Sequence, residues 1–207
     1  MSVSAETVFV TARTILNDDG NSLFTDTVLF PKLTHAHREL QAYLRAKDSQ
    51  VMRNTAFTTI AANTTLWPAP PPDLLEPLKI WEKVSTTPNS TYAEMTEADP
   101  LDPTLMAGTT AMQYWQWADE ILTFRPAASN SVDVKMLYWR QIPIPVLNSD
   151  LIGILFGELY LAPRTAALQM GSMGDDDGHQ TWTQVGLTAI DQIIYANKGR
   201  LNVPGRP

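Results

Sequence analysis

Cysteine is missing from all 207 residues, which removes disulfide staples, thiolate zinc sites, iron–sulfur clusters and cysteine nucleophiles at once. Positive charge is also short: 15 Lys and Arg face 22 Asp and Glu, giving a formal net charge of −7 and a pI near 4.9. Tight nucleic-acid binding needs the reverse balance, because it works by neutralising phosphates. Long apolar runs are lacking. The most apolar stretch, Leu151 to Tyr160, is interrupted by Glu158 and followed by Arg164, well short of the ~20 residues that span a bilayer. No membrane anchor is expected, and no basic segment leads into an apolar one at the start, so no secretory leader is read. Gly-x-Ser-x-Gly, the phosphate-binding Gly loop, the dinucleotide fingerprint and His-Glu-x-x-His do not occur. The expectation is a protein that is not an enzyme, with no catalytic, cofactor-binding or metal-binding residues.

What is present is a chain able to bury a core, with 44% hydrophobic and 18% charged residues. Val3, Val8, Ala12 and Ile15 keep a helical period up to the turn residues Asn17-Asp18-Asp19-Gly20. Thr25 is placed to cap a second helix whose apolar face is Leu29, Leu33, Ala36, Leu40 and Tyr43, with Pro31 near its first turn. From about Val51 the chain turns β-branched and then Pro-rich (Trp67 to Pro72). Lys79 to Val84, Met112 to Trp117 and Val132 to Tyr138 alternate as antiparallel strands do, and Ile121 to Phe124 reads as a strand after an acidic turn. A helical period returns at Leu151, Leu155, Leu159, Ala162 and Ala166, and again at Trp182, Val185, Ala189, Ile193 and Ala196.

The predicted fold class is therefore α+β: a small bundle of two N-terminal and two C-terminal helices with a central antiparallel β-rich insertion. Residues 1–48 and 149–197 are assigned to the bundle, 49–148 to the acidic insertion and 198–207 to an extended tail. Residues 73–133 hold ten carboxylates against three bases, while the rest of the chain balances at twelve each. The whole net charge thus lies in that central stretch.

Several constellations bear on chemistry. His35 and His37 are two positions apart on a helix and point to different sides, so they do not share an ion; one half-buried and one solvated histidine are expected. Asp175-Asp176-Asp177-Gly178-His179 has hard-ion ligand types, but acids before a helix suit its positive end, and Asp177 or Thr181 is expected to cap it. Trp115 and Trp117, with Tyr138 and Trp139, read as cross-strand packing. The competing reading is a carbohydrate-binding or glycosidase-like module that uses these aromatic strands, with Asp119 and Glu120 as its carboxylates. Gly153-x-x-x-Gly157 would permit close helix approach, in a core or between subunits, with core packing the expected use.

Ala12-Arg13, Leu16-Asn17-Asp18, Phe24-Thr25-Asp26, Leu33 to Ala36 and Glu39-Leu40 follow one another in an order that resembles the opening of head-to-tail connector adaptor proteins of tailed phages. Leu66-Trp67-Pro68, Trp81-Glu82, Trp117, Ile121 to Ala127 and Val132 to Tyr138 resemble that family's β-insertion, and Leu159 to Ala167 with the last helix its closing helices. The resemblance implies a non-catalytic head-completion protein of the virion neck, assembled in the host cytoplasm. It also implies a homo-oligomeric ring, a dodecamer, that docks on the portal protein, extends the DNA channel and meets a tail or nozzle protein. Duplex DNA would pass through without sequence-specific binding during genome ejection. A tail terminator or stopper of the same particle is the alternative role. Within that reading, Lys198, Arg200, Leu201, Val203 and Arg206 are the candidate portal-docking residues, because the tail after the last helix has bases and no acid. Glu94, Glu97, Asp99 and Asp102 are the candidate acidic surface, facing the channel or the outside.

Overall fold

The computed structural model describes residues 3–84, 91–98 and 112–198. Two compact units emerge: one from the chain up to Met52 and from Ile142 onward, the other from Arg53 to Gln141.

The first unit holds α1 (Ala5–Ile15), α2 (Asp26–Ala46), α3 (Glu158–Ser172) and α4 (Asp176–Ala196). The α1 helix starts at Ser4, whose hydroxyl accepts from the Thr7 amide, and buries Ala5, Val8, Phe9 and Ala12. The α2 helix buries Leu29, Leu33, Ala36, Leu40 and Leu44, spaced by three or four. Thr25 does occupy its N-cap position, but its side chain makes no capping bond.

The α3 helix starts seven residues later than the Leu151 periodicity predicts. Between Leu151 and Gly157 the chain is irregular: Ile152 and Ile154 are buried in alternation, and Phe156 has φ of 58°. Gly153 and Gly157 therefore serve this segment and not a helix crossing. A Cβ on Gly153 would lie 2.8 Å from Ile142 Cγ2, closer than packing allows. From Tyr160 to Met170 nearly every side chain of α3 is buried, including Pro163, Thr165 and Gln169. A helix covered on all sides has no apolar stripe to read. It packs against α1, α2 and α4, while α2 and α4 barely touch.

The second unit holds β1 (Arg53–Ile60), β2 (Leu74–Val84), β3 (Ala93–Glu94), β4 (Thr96–Glu97), β5 (Tyr114–Ala118), β6 (Ile121–Arg125) and β7 (Val132–Arg140). One sheet has the order β1-β7-β2-β3, antiparallel throughout; the other is β4-β5-β6, in which the two-residue β4 runs parallel to β5. Pro77 lies inside β2, where the register with β7 shifts between Pro77 and Lys79 and β3 does not reach, so its missing N–H leaves no ladder bond open on that side. Alternate residues Val132, Val134, Met136 and Tyr138 of β7 enter a core with Ile60, Ile80, Trp67, Trp115, Leu122 and Phe124. Asp119 and Glu120, both left-handed at φ of 51° and 60°, form the tight β5–β6 turn.

Candidate functional site

The charged residues of the helical unit are joined in networks. Arg13 on α1 donates from Nε to the Phe24 carbonyl at 2.9 Å and pairs with Asp26, the first residue of α2. Asn148 donates to the other oxygen of Asp26. Asp18, buried in the α1–α2 turn, accepts the amides of Ser22, Leu23 and Phe24 and the Ser22 hydroxyl at 2.7–3.1 Å. These bonds, the Phe24 amide first, hold its carboxyl down at about 2. Between α2 and α3, Glu39 accepts both Nε and Nη2 of Arg164, at 2.7 and 2.8 Å. Arg164 Nη1 reaches Thr183 of α4, and Tyr160 and His35 complete the ring around Glu39. The bond from Arg164 lowers the Glu39 pKa against the opposing effect of burial.

The histidines divide as their spacing requires. His35 is exposed beside Glu39, but His37 is fully buried and not half-buried. Its Nδ1 faces Gln41 Nε2 at 2.9 Å, Nε2 has no partner, and burial lowers its pKa to about 4. Gln41 in turn bonds both backbone groups of Ile142, at 2.8 and 3.0 Å. In the acidic loop it is Asp175, not Asp177 or Thr181, that caps α4, by accepting the Gly178 amide. His179 Nδ1 lies 2.8 Å from the Ala167 carbonyl. Among the described residues no three His, Asp or Glu side chains converge on a metal position, and no helix is long and apolar enough to cross a membrane.

The aromatic strands do not make a sugar platform. Trp115 and Tyr138 are buried in the core of the β unit, and Tyr138 is fixed by bonds to Asp73 and Asn54. Trp139 lies on the opposite face of β7, under the Arg53 guanidinium. Among the described residues, Trp117 and Glu120 line one cleft together, with Pro70, Pro71, Pro72 and Leu75.

Of the predicted acidic surface, Glu94 and Glu97 are exposed on the short strands β3 and β4; Glu94 is bonded to Lys79 at 2.8 Å, and Glu97 has no cation partner among the described residues. Asp99 and Asp102 lie outside the described residues, as do Arg200, Leu201, Val203 and Arg206 of the predicted docking tail. Lys198 is exposed. Just before it, Asn197 is buried: its Nδ2 donates to the Leu155 and Ile193 carbonyls at 3.0 and 2.7 Å, and its Oδ1 lies 3.4 Å from the Leu155 amide. Sequence reasoning took Asn197 as a simple helix stop; this tie to a residue 42 positions earlier has no local signal.

Arg13, Asp18, Asp26 and Glu39, all in the opening phrases that carry the resemblance, are thus the residues that tie the helices together. A family model described as SU10 adaptor protein matches residues 5–207. The chain belongs to that family. No curated protein matches it. As an SU10 adaptor protein it is a phage structural protein of the virion neck that interacts with other virion components.

Proposed function

We propose that the chain is one subunit of a homo-oligomeric ring, a dodecamer, that docks on the portal protein after packaging, extends the DNA channel and receives a tail or nozzle protein. The family match over residues 5–207 carries this reading. The docking element is the tail from Lys198, with Arg200 and Arg206 forking onto portal carboxylates and Leu201 and Val203 filling an apolar pocket. Support comes from Asn197: because its side chain is tied to Leu155, the chain leaves the bundle at a fixed point. The acids of the β unit, Glu94, Glu97, Asp99 and Asp102, form a surface that duplex DNA does not adhere to, since no counterions are released there. Assembly takes place in the host cytoplasm, and the ring remains in place through head completion and genome ejection.

The test is truncation after Lys198, which keeps Asn197 and so keeps the bundle intact. Helical content and melting temperature stay at wild-type values while binding to purified portal is lost. Undiminished portal affinity of the truncated protein would place docking on the helices instead. Native mass spectrometry of the complex gives the subunit number, and a complex formed with tail components but not with portal would favour the tail terminator or stopper role.

A further inference from the structure

The helical unit presents two helix faces of opposite charge. Opposite its buried leucines, α2 exposes Arg38, Ala42 and Arg45, at spacings of four and three residues along one face. Arg38 has no carboxylate partner among the described residues, and Glu39, at the edge of this face, is taken up by Arg164. Opposite its own buried face, α4 exposes Asp177, Thr188, Asp191 and Tyr195. The α4 helix contains no Lys or Arg, neither Asp177 nor Asp191 meets a cation among the described residues, and Tyr195 is 76% exposed. Both helices pack on α3 and hardly on each other, and each charged face lies opposite its own helix's buried side. They have no means of meeting within one copy.

We propose that they meet between copies: the basic face of α2 in one subunit docks on the acidic face of α4 in the next. Arg38 and Arg45, about 10 Å apart along α2, supply the attraction to Asp191, which lies over Ala42, while Thr188 and Tyr195 fall about one turn to either side of it and the Tyr195 ring lies beside a guanidinium group. Two different surfaces make a head-to-tail contact, which repeats from copy to copy and closes as a ring when the rotation allows. This inference rests on the ring reading above and names the faces that build the ring.

The absence of cysteine makes the contact trappable. Copies with Ala42→Cys are mixed with copies with Thr188→Cys and oxidised at about 100 μM, where even a weak contact is populated. The mixed disulfide exceeds both homodimers by about tenfold; it falls about tenfold in high salt, and likewise when Arg38→Glu and Arg45→Glu are added to the first copy. It returns when the second copy also carries Asp191→Lys. Equal yields of all three disulfides, or a mixed disulfide indifferent to charge reversal, overturn the inference. So does a portal complex of normal subunit number built only from the Arg38→Glu, Arg45→Glu protein, and that result leaves portal docking standing. If wild-type protein fails to bind portal, docking is what fails, and the disulfide yields in solution still decide the inference. Circular dichroism of each variant verifies that the bundle is folded.

Discussion

The two units use charge in opposite ways. In the helical unit the carboxylates Asp18, Asp26, Glu39 and Asp150 all have lowered pKa values, because each is met by amides, an amide side chain or a guanidinium. Among the described residues of the β unit the shifted carboxylate is Glu82, and it moves the other way: it is buried, accepts the Met112 amide at 2.8 Å, and burial raises its pKa. Of the exposed acids of the β unit, Glu94 is bonded to Lys79, while Glu97, Asp119 and Glu120 have no cation partners among the described residues. The helical unit adds networks of bonded charges to its apolar core, while the β unit relies on an aromatic and aliphatic core and carries most of its acids outside.

The strongest way to break this contrast is Arg164→Ala, which leaves the Glu39 carboxylate partly buried without its cation. A loss of about 3 kcal/mol or more is expected for the helical unit, and little for the β unit. Five of the six tryptophans lie in the β unit, so a Trp182→Phe background lets fluorescence follow that unit while far-ultraviolet dichroism follows the helices. Urea melts by the two probes should separate in Arg164→Ala; coincident shifts of equal size would contradict the division.

Acid should sharpen the contrast next. His37 is held neutral in the fold with a pKa of about 4 against a usual 6.5, so its contribution is complete above pH 6.5 and declines as the pH falls toward 4. Asp18, at about 2 against 3.8, extends the decline from about pH 4 to pH 2. Glu82, with its pKa raised, contributes fully below its usual 4.5 and loses that contribution as the pH rises through its folded value. Helical signal should therefore melt before the tryptophan signal on acidification, and His37→Phe should flatten the slope between pH 6.5 and 4. If the two probes lose stability in parallel, the opposite signs are wrong.

Gly153→Ala is the next smaller effect, about 1–3 kcal/mol, from the clash with Ile142; differential scanning calorimetry checks it. The smallest stability change, within about 0.5 kcal/mol, is expected for Glu94→Lys with Glu97→Lys, because these residues are exposed. Their effect lies in function: the variant should retain duplex DNA in a salt-dependent way where the native surface does not. Equal retention by both proteins in a filter-binding assay would remove the non-adhesive surface from the proposed function.

How legible this was from sequence follows from where each element finds its partners. The α1 and α2 helices bury one face each, so Val8, Ala12, Leu33 and Leu40 announce them at helical spacing. The start of α3 was misplaced because this helix is enclosed on every side and because Ile152 and Ile154 precede it in an irregular segment whose apolar residues happen to continue the period. The β7 strand was readable from the alternation of Val132, Val134 and Met136, but the packing of Tyr138 and Trp139 on opposite faces separated a pair that proximity in sequence had joined. Asp18 was read only as a turn former; its role depends on three amides converging from the next turn, which residue identity does not encode. Of the candidate docking residues only Lys198 among the tail positions, and Glu94 and Glu97 among the acids, fall where their surroundings are visible.

The Asn197 tie has a mechanical consequence. A helix end held only by its own backbone bonds gives way turn by turn when the chain beyond it is pulled. Here the last turn is fastened sideways to the backbone of Leu155, next to the buried Ile154. Tension arriving through residue 198 is thus shared with the backbone of Leu155, whose bond to Asn197 has to break before the last turn of α4 can open.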